Sequence, residues 1–231
     1  VMEAAPRLKV IGRTGVGYDS VDVDAATELG IPVVITPGAN NRAVAEHSLT
    51  LMLALSKNLV EAQVEASKGN WAIRDAHKQF ELYGKKAGII GLGRIGQATA
   101  KLLNALDMEV IAYDAHESEA GKKLAEYVSL DELFARSDVI FLHCPLFPAT
   151  EGIINKENIA KMKDGVILIN NSRGQLVVEQ DLADALNSGK VYAAGLDVVS
   201  TEPIKGDNPL LTAKNCIITP HISWAAQASR Q

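Results

Sequence analysis

Residues 84–96 read Gly-Lys-Lys-Ala-Gly-Ile-Ile-Gly-Leu-Gly-Arg-Ile-Gly. The apolar run Ala87–Ile90 reads as a strand, and Gln97–Leu106 after it as a helix. Between them stand Gly91, Gly93 and Gly96. The first permits a tight turn, the second lets the backbone approach a pyrophosphate, and the third lets the helix pack on the strand. The helix N-terminus then aims its free amides at the phosphates. Glycines in this spacing are weak evidence alone, and it is the strand before and helix after that make them a dinucleotide fingerprint. The next strand, Glu109–Tyr113, ends at Asp114, about 20 residues on, where a carboxylate can hydrogen-bond both ribose hydroxyls. Ala115 follows, with no adjacent Arg or Lys to meet a 2′-phosphate, so the spacing points to NAD over NADP.

Outward from this motif, further aliphatic runs lie at Asp138–Leu142, Val166–Asn170, Ala193–Asp197 and Cys216–Thr219. They are apolar on both faces, as parallel strands covered on each side by helices must be. Helix signals separate them. Ser129 with Glu132 forms a capping box, Asn155 can cap a helix running through Met162, and Gly189 stops the one through Ala185. Repeated strand and helix predict right-handed βαβ units in one doubly wound parallel sheet of about six strands. The first part of the chain differs. Leu8–Gly12 and Pro32–Ile35 read as strands around a short helix near Val23–Leu29. A long helix is expected from Arg42 to Lys68, with Val44, Leu51, Leu55, Leu59 and Val60 on one face. Two short strands and one helix bury too little to fold alone, so they join the main sheet or find partners before Val1.

The chain has 231 residues, 47% hydrophobic and 22% charged, with net charge −5. That is core enough for a folded protein, and its acidity argues against nucleic-acid binding. Cys144 and Cys216 lie in apolar runs and read as reduced core residues of a cytoplasmic protein. No apolar stretch reaches the roughly 20 residues of a membrane span. No His/Cys/Asp spacing suggests a metal.

In a doubly wound sheet the carboxyl ends of the other strands face the same crevice. They deliver His143-Cys144, Asn171-Ser172-Arg173, Asp197 with Glu202, and Pro220-His221. An arginine, a glutamate and a histidine beside a nicotinamide suit carbonyl reduction. Arg173 could clamp a carboxylate and polarise the neighbouring carbonyl. His221 could give a proton to the developing alkoxide. Glu202 could hold the imidazole in its protonated form. Taken singly, each has a plainer reading as a surface arginine, a solvated loop acid or a capped strand end.

The chain resembles the D-isomer-specific 2-hydroxyacid dehydrogenases over essentially its whole length. Residues 84–96, Asn-Ser-Arg-Gly at 171–174, Gly-Leu-Asp-Val at 195–198, Glu202-Pro203 and Thr-Pro-His at 219–221 match in order and spacing. The resemblance implies a Rossmann NAD-binding domain over 39–221. It adds the remnant of a flavodoxin-like, discontinuous substrate domain at 1–38, to which 222–231 begins to return. It implies Arg173, Glu202 and His221 as the catalytic set, and Arg94 and Ile95 on the pyrophosphate. Cys144, Asn171, Ser172 and Asp197 then line the nicotinamide side, Asp197 meeting the carboxamide or ribose. Gly15, Val16 and Gly17, in the Arg13–Asp19 loop, match the loop whose backbone amides hold the substrate carboxylate.

His221-Ile222-Ser223-Trp224 resembles the glycerate dehydrogenase, or hydroxypyruvate reductase, branch, with phosphoglycerate dehydrogenase as the alternative. Trp224 as simple domain-interface packing is equally compatible. A different class on the same fold is an NAD(H)-sensing corepressor that binds short peptides, for which the sequence offers no groove. The family is expected to pair as a homodimer through its cofactor domain, with Trp71 and Phe80 in the Asn70–Tyr83 stretch contributing. His47, His77, His116 and His143 are expected to cap or pack. Family members are longer, which implies that further residues precede Val1 and follow Gln231, and that this chain could be a fragment lacking activity.

Overall fold

The computed structural model describes residues 2–13, 15–18, 20–76 and 79–227. Two separate sheets are present. The small one pairs β1 (Ile11–Arg13) in parallel with β2 (Val33–Ile35), Ile11 opposite Val33. Helix α1 (Val23–Glu28) connects them, capped by Asp22, whose carboxylate accepts the Ala25 amide at 2.9 Å. The first strand begins three residues later than the sequence suggests, and Val10 is exposed. These strands stay apart from the main sheet.

The main sheet has seven parallel strands: β3 (Lys86–Ile90), β4 (Glu109–Tyr113), β5 (Glu126–Tyr127), β6 (Val139–Leu142), β7 (Val166–Asn170), β8 (Val191–Leu196) and β9 (Cys216–Ile218). Their spatial order is β5-β4-β3-β6-β7-β8-β9. Alternating side chains send Ile89, Phe141, Ile167 and Ile169 to one face and Ile90, Ile140, Leu142 and Leu168 to the other. Helices α2 (Asn41–Ser56) and α4 (Arg94–Asn104) cover the first face with Leu51, Met52, Leu55, Ala100 and Leu103. The short α5 (Glu119–Lys122) leads from β4 to β5, and helices α6 (Leu130–Arg136), α7 (Lys156–Lys161) and α8 (Glu179–Ser188) cover the second face with Leu133, Phe134, Ile159, Leu182 and Leu186. Each such side chain contributes about 1.5–3 kcal/mol by leaving water.

The predicted ends hold where local chemistry sets them. Ser129 and Glu132 form the reciprocal capping box, Asn155 caps α7 through the Asn158 amide, and Gly189 closes α8 at φ 85°. Three expectations are corrected. The long helix over 42–68 is two: α2 ends at Ser56 and α3 (Leu59–Ser67) begins after Asn58, which sits left-handed at φ 49°. The break turns Leu59 and Val60 out to solvent, away from the face that Val44, Leu51 and Leu55 bury. The sheet has a seventh strand, the two-residue β5, whose Glu126 takes both Nη donors of Arg136 at 3.1 and 2.9 Å. Cys216 is half-buried, whereas Cys144 is a core residue. Among the described residues no helix is long and apolar enough to cross a membrane.

Candidate active site

Strand β3 is central, and the chain leaves it first towards β4 and later towards β6 on its other side. At such a switch point the loops after the strands diverge and leave a crevice above their carboxyl ends. The glycine loop sits there. Gly91 has φ 96°, and a Cβ on it would lie 2.5 Å from the Cys144 nitrogen, so only glycine lets the loops after β3 and β6 meet. A Cβ on Gly96 would lie 2.2 Å from the Gly91 carbonyl oxygen, which is the close helix approach read from the motif. Gly93 is different: it has ordinary extended backbone, and a Cβ there would meet nothing within 4 Å. The open space lies outside the protein, at the N-terminus of α4, where Gly93 offers no side-chain cap to the first amides. The loop therefore fits a pyrophosphate: uncapped amides, room for a phosphate and a positive helix end. Arg94 is exposed at the same terminus and Ile95 is half-buried.

Asp114, at the end of β4, is half-buried and already engaged. Its Oδ2 accepts the Leu92 amide at 2.7 Å and its Oδ1 the His116 amide at 2.9 Å. Two backbone donors leave lone pairs for ribose hydroxyls. The same carboxylate thus holds the glycine loop.

Beyond β6 and β7 the loops are tied to each other. Ser172 Oγ donates to the Cys144 carbonyl at 2.5 Å, and Asn170 accepts the Ser172 amide while donating to the Arg173 carbonyl at 2.9 Å. Arg173 is half-buried, its Nη1 donating to the Ser172 carbonyl at 2.7 Å. Gly174 explains how this loop meets the one after β8, because a Cβ there would lie 1.9 Å from the Val199 carbonyl carbon. Both amide atoms of Asn171 are buried without a protein partner. Cys144 is no nucleophile: burial, with the Asp114 charge adding, pushes its thiol up to about 11. Below it, His143 stacks on Phe141, shares a 3.0 Å hydrogen bond with Thr99, and is pushed down to about 4 by burial.

The histidine–carboxylate pair lies at the far end. His221 Nδ1 is 2.7 Å from Glu202 Oε2, and the side chains keep 42% and 39% exposure. An ionised carboxylate only accepts, so Nδ1 carries the hydrogen and Nε2 is the nitrogen left for proton transfer. Glu202 Oε1 also accepts the Val199 amide at 3.3 Å, next to the Gly174 contact. His221 itself has φ 54°, and its carbonyl accepts the Trp224 indole N–H at 2.8 Å.

Asp197 is fully buried and turned to the chain's own backbone, accepting the Ile222 and Ser223 amides at 2.9 and 2.8 Å and the Thr219 hydroxyl at 2.5 Å. Gly15, Val16 and Gly17 lie in the loop after β1, where the Gly15 amide donates to Thr36 Oγ1 at 2.7 Å and the Gly17 carbonyl accepts Arg13 Nε at 3.0 Å. Thr14 and Asp19 of that loop, and His77, lie outside the described residues, as do 228–231 of the returning segment. Sequence reading missed His47, which shares a 3.0 Å hydrogen bond with Thr219 from 172 residues away and sits 3.6 Å from Asp197. No local pattern could have paired them. His116 is exposed beside Asp114. Among the described residues no cluster of three His, Cys, Asp or Glu could hold a metal.

Comparison with known proteins agrees with this geometry. Residues 49–223 match the model of the D-isomer specific 2-hydroxyacid dehydrogenase NAD binding domain. A hydroxypyruvate reductase of Blautia hydrogenotrophica is 56% identical over all of this chain and 74% of its own length. A D-3-phosphoglycerate dehydrogenase of Archaeoglobus fulgidus is 46% identical, with 44% of its length covered. Among solved structures, D-lactate dehydrogenase of Aquifex aeolicus complexed with NAD and lactic acid superposes with a TM-score of 0.90 at 37% identity, over 99% of this chain and 74% of that one. The chain belongs to the D-isomer specific 2-hydroxyacid dehydrogenase family.

Proposed function

We propose that this protein interconverts hydroxypyruvate or glyoxylate and the corresponding 2-hydroxyacid, with Arg173, Glu202 and His221 as its catalytic residues. The observation that carries the reading is the 2.7 Å His221–Glu202 pair, delivered by the loops after β8 and β9 to the edge that holds the glycine loop. Bound as NADH the cofactor would supply hydride to the substrate C2, and bound as NAD+ it would take hydride from it. Gly91, Gly93, Arg94, Ile95 and Gly96 hold its pyrophosphate and Asp114 its ribose, while Cys144, Asn171 and Ser172 border the nicotinamide end; Asp197, expected there too, is fully buried and braces residues 219–223 instead. The two unpartnered amide atoms of Asn171 support a polar ligand there. In reduction, Arg173 binds the substrate carboxylate and polarises the C2 carbonyl. His221 Nε2 gives its proton to the alkoxide oxygen as C2 becomes tetrahedral. Glu202 steadies the imidazolium before the transfer and accepts Nδ1–H throughout.

We assign 1–38 to a substrate domain, whose Val16 and Gly17 amides hold the carboxylate while the Gly15 amide is given to Thr36 Oγ1, 39–221 to the cofactor domain, and 222–231 to the returning segment. A second copy of the chain covers the exposed apolar residues Leu59, Val60, Val64 and Trp71 on and after α3. Two unpaired thiols and an acidic surface fit a cytoplasmic enzyme of small acids rather than a nucleic-acid or bilayer partner. The 56% identity to a hydroxypyruvate reductase, against 46% to a phosphoglycerate dehydrogenase, favours the unphosphorylated substrate.

The test is NADH oxidation by the full-length protein with hydroxypyruvate, glyoxylate, pyruvate and 3-phosphohydroxypyruvate. Highest kcat/KM on the first two is expected. Preference for the phosphorylated acid would move the protein to the other branch. Tight NADH binding with no turnover of any acid would overturn the enzyme reading in favour of a cofactor-sensing binding protein.

A further inference from the structure

We propose that His47 is a positioning residue, whose imidazole N–H, relayed through Thr219 to the buried Asp197 carboxylate, fixes the 219–223 backbone that presents His221. This rests on the reading of His221 as the proton donor.

Asp197 is 0% exposed, and an ionised carboxylate out of water must be surrounded by donors. Two are the Ile222 and Ser223 amides, the peptide groups immediately after His221. They hold the chain in a bend in which His221 adopts φ 54°, a conformation unfavourable for a residue with a Cβ. The third is the Thr219 hydroxyl, two residues before His221, at 2.5 Å. So one carboxylate grips the backbone on both sides of the imidazole.

A hydroxyl has one hydrogen. Thr219 gives it to Asp197, so its 3.0 Å contact with His47 Nε2 can only be one in which His47 donates. That fixes His47 with a hydrogen on Nε2. A donor on the Thr219 oxygen polarises its O–H towards the carboxylate and strengthens that bond. The same nitrogen stands 3.6 Å from Asp197 Oδ1, so it also adds a positive potential beside the buried charge. His47 is itself held firmly. It lies on α2 between Val44, Ala45, Ser48 and Leu51, all buried against the sheet. The chain of contacts therefore runs from a rigid helix to a half-exposed loop.

The experiment compares His47→Leu, which fills the space but cannot donate, with His47→Gln, whose amide nitrogen can donate at a similar reach, in the full-length protein. The Trp224 indole N–H resonance reports the loop directly, because that group donates to the His221 carbonyl, and the exposed Trp71 serves as internal control. His47→Leu is expected to lower kcat about ten-fold with KM for NADH changed less than about two-fold. It should also move the Trp224 resonance and leave that of Trp71 in place. His47→Gln is expected to restore most of the rate and of the resonance position. Wild-type kcat in His47→Leu, or equal loss in both variants, would overturn the proposal and reduce His47 to packing. A shifted Trp224 resonance in a protein that reduces no 2-oxoacid would uphold the positioning while removing the proton-donor role of His221.

Discussion

Asp114 Oδ2 accepts the Leu92 amide at 2.7 Å, so the acid at the end of β4 is wired into the glycine loop at the end of β3. Its replacement removes a brace of that loop together with the proposed ribose acceptor. Each charge-assisted bond is worth about 1.5–3 kcal/mol. Asp114→Ala should therefore raise KM for NADH about ten- to a hundred-fold, and steady-state kinetics with both cofactors should show no matching gain with NADPH. Unchanged KM for NADH would place the ribose elsewhere.

His221→Ala should lower kcat by about 10²–10⁴ without displacing NADH, since the role proposed for the imidazole is confined to proton transfer. Fluorescence titration of the bound reduced cofactor checks the second half. Glu202→Gln keeps an acceptor for Nδ1–H but loses the charge, and should fall between wild type and His221→Ala. A Glu202→Gln rate at the wild-type level would show that the 2.7 Å pair orients nothing.

Gly174 is the place where a single methyl group should do most harm. The Val199 carbonyl carbon would lie 1.9 Å from it, and backbone on both sides leaves no flexible side chain to yield. Gly174→Ala should destabilise the protein by about 3 kcal/mol, which lowers Tm by roughly 10 °C. It should cost activity even where the protein still folds, because Arg173 precedes it and Glu202 bonds the Val199 amide. An unaltered Tm would refute the close approach.

His143 sets a pH dependence of stability. Buried and neutral, it titrates at about 4, below the 6.5 of an unfolded chain. The unfolded state thus binds the proton first, and its share of stability, complete above pH 6.5, is lost as pH falls towards 4. The loss amounts to about 3 kcal/mol over that window. Denaturant titrations at intervals from pH 7 to 4 should show it, and His143→Gln should flatten the slope. A slope shared by both proteins would assign the acid sensitivity to other groups.

What the sequence disclosed depended on how local the cause was. The apolar runs of the main sheet, the Ser129–Glu132 capping box and the Gly189 stop act over a few residues; the caps appear where capping rules put them and the strands start and end close to the expected runs, β8 beginning at Val191 instead of Ala193. The break at Asn58 was hidden because the apolar spacing continues across it, and only a left-handed backbone reveals that the axis has turned. Strand β5 escaped because two residues, Glu126 and Tyr127, carry no period; it is held by pairing with β4 and by Arg136. In the candidate site the motif residues were legible because they lie in the loops that follow the carboxyl ends of the strands. Asp197 was legible as a residue at this edge but not as the brace of residues 219–223, and His47 was not legible at all. Both depend on contacts that only the closed tertiary structure creates.

The strand order has a consequence for how the chain is made. β3 emerges first and occupies the middle of the sheet; β4 and β5 then add on one side, and β6, β7, β8 and β9 follow one after another on the other. Every strand leaving the ribosome meets an open edge of what already exists, and none must be inserted between two paired neighbours. The nucleotide-facing half is finished while the acid–base residues are still to be translated, so a ligand could already steady the nascent sheet before the last strand docks.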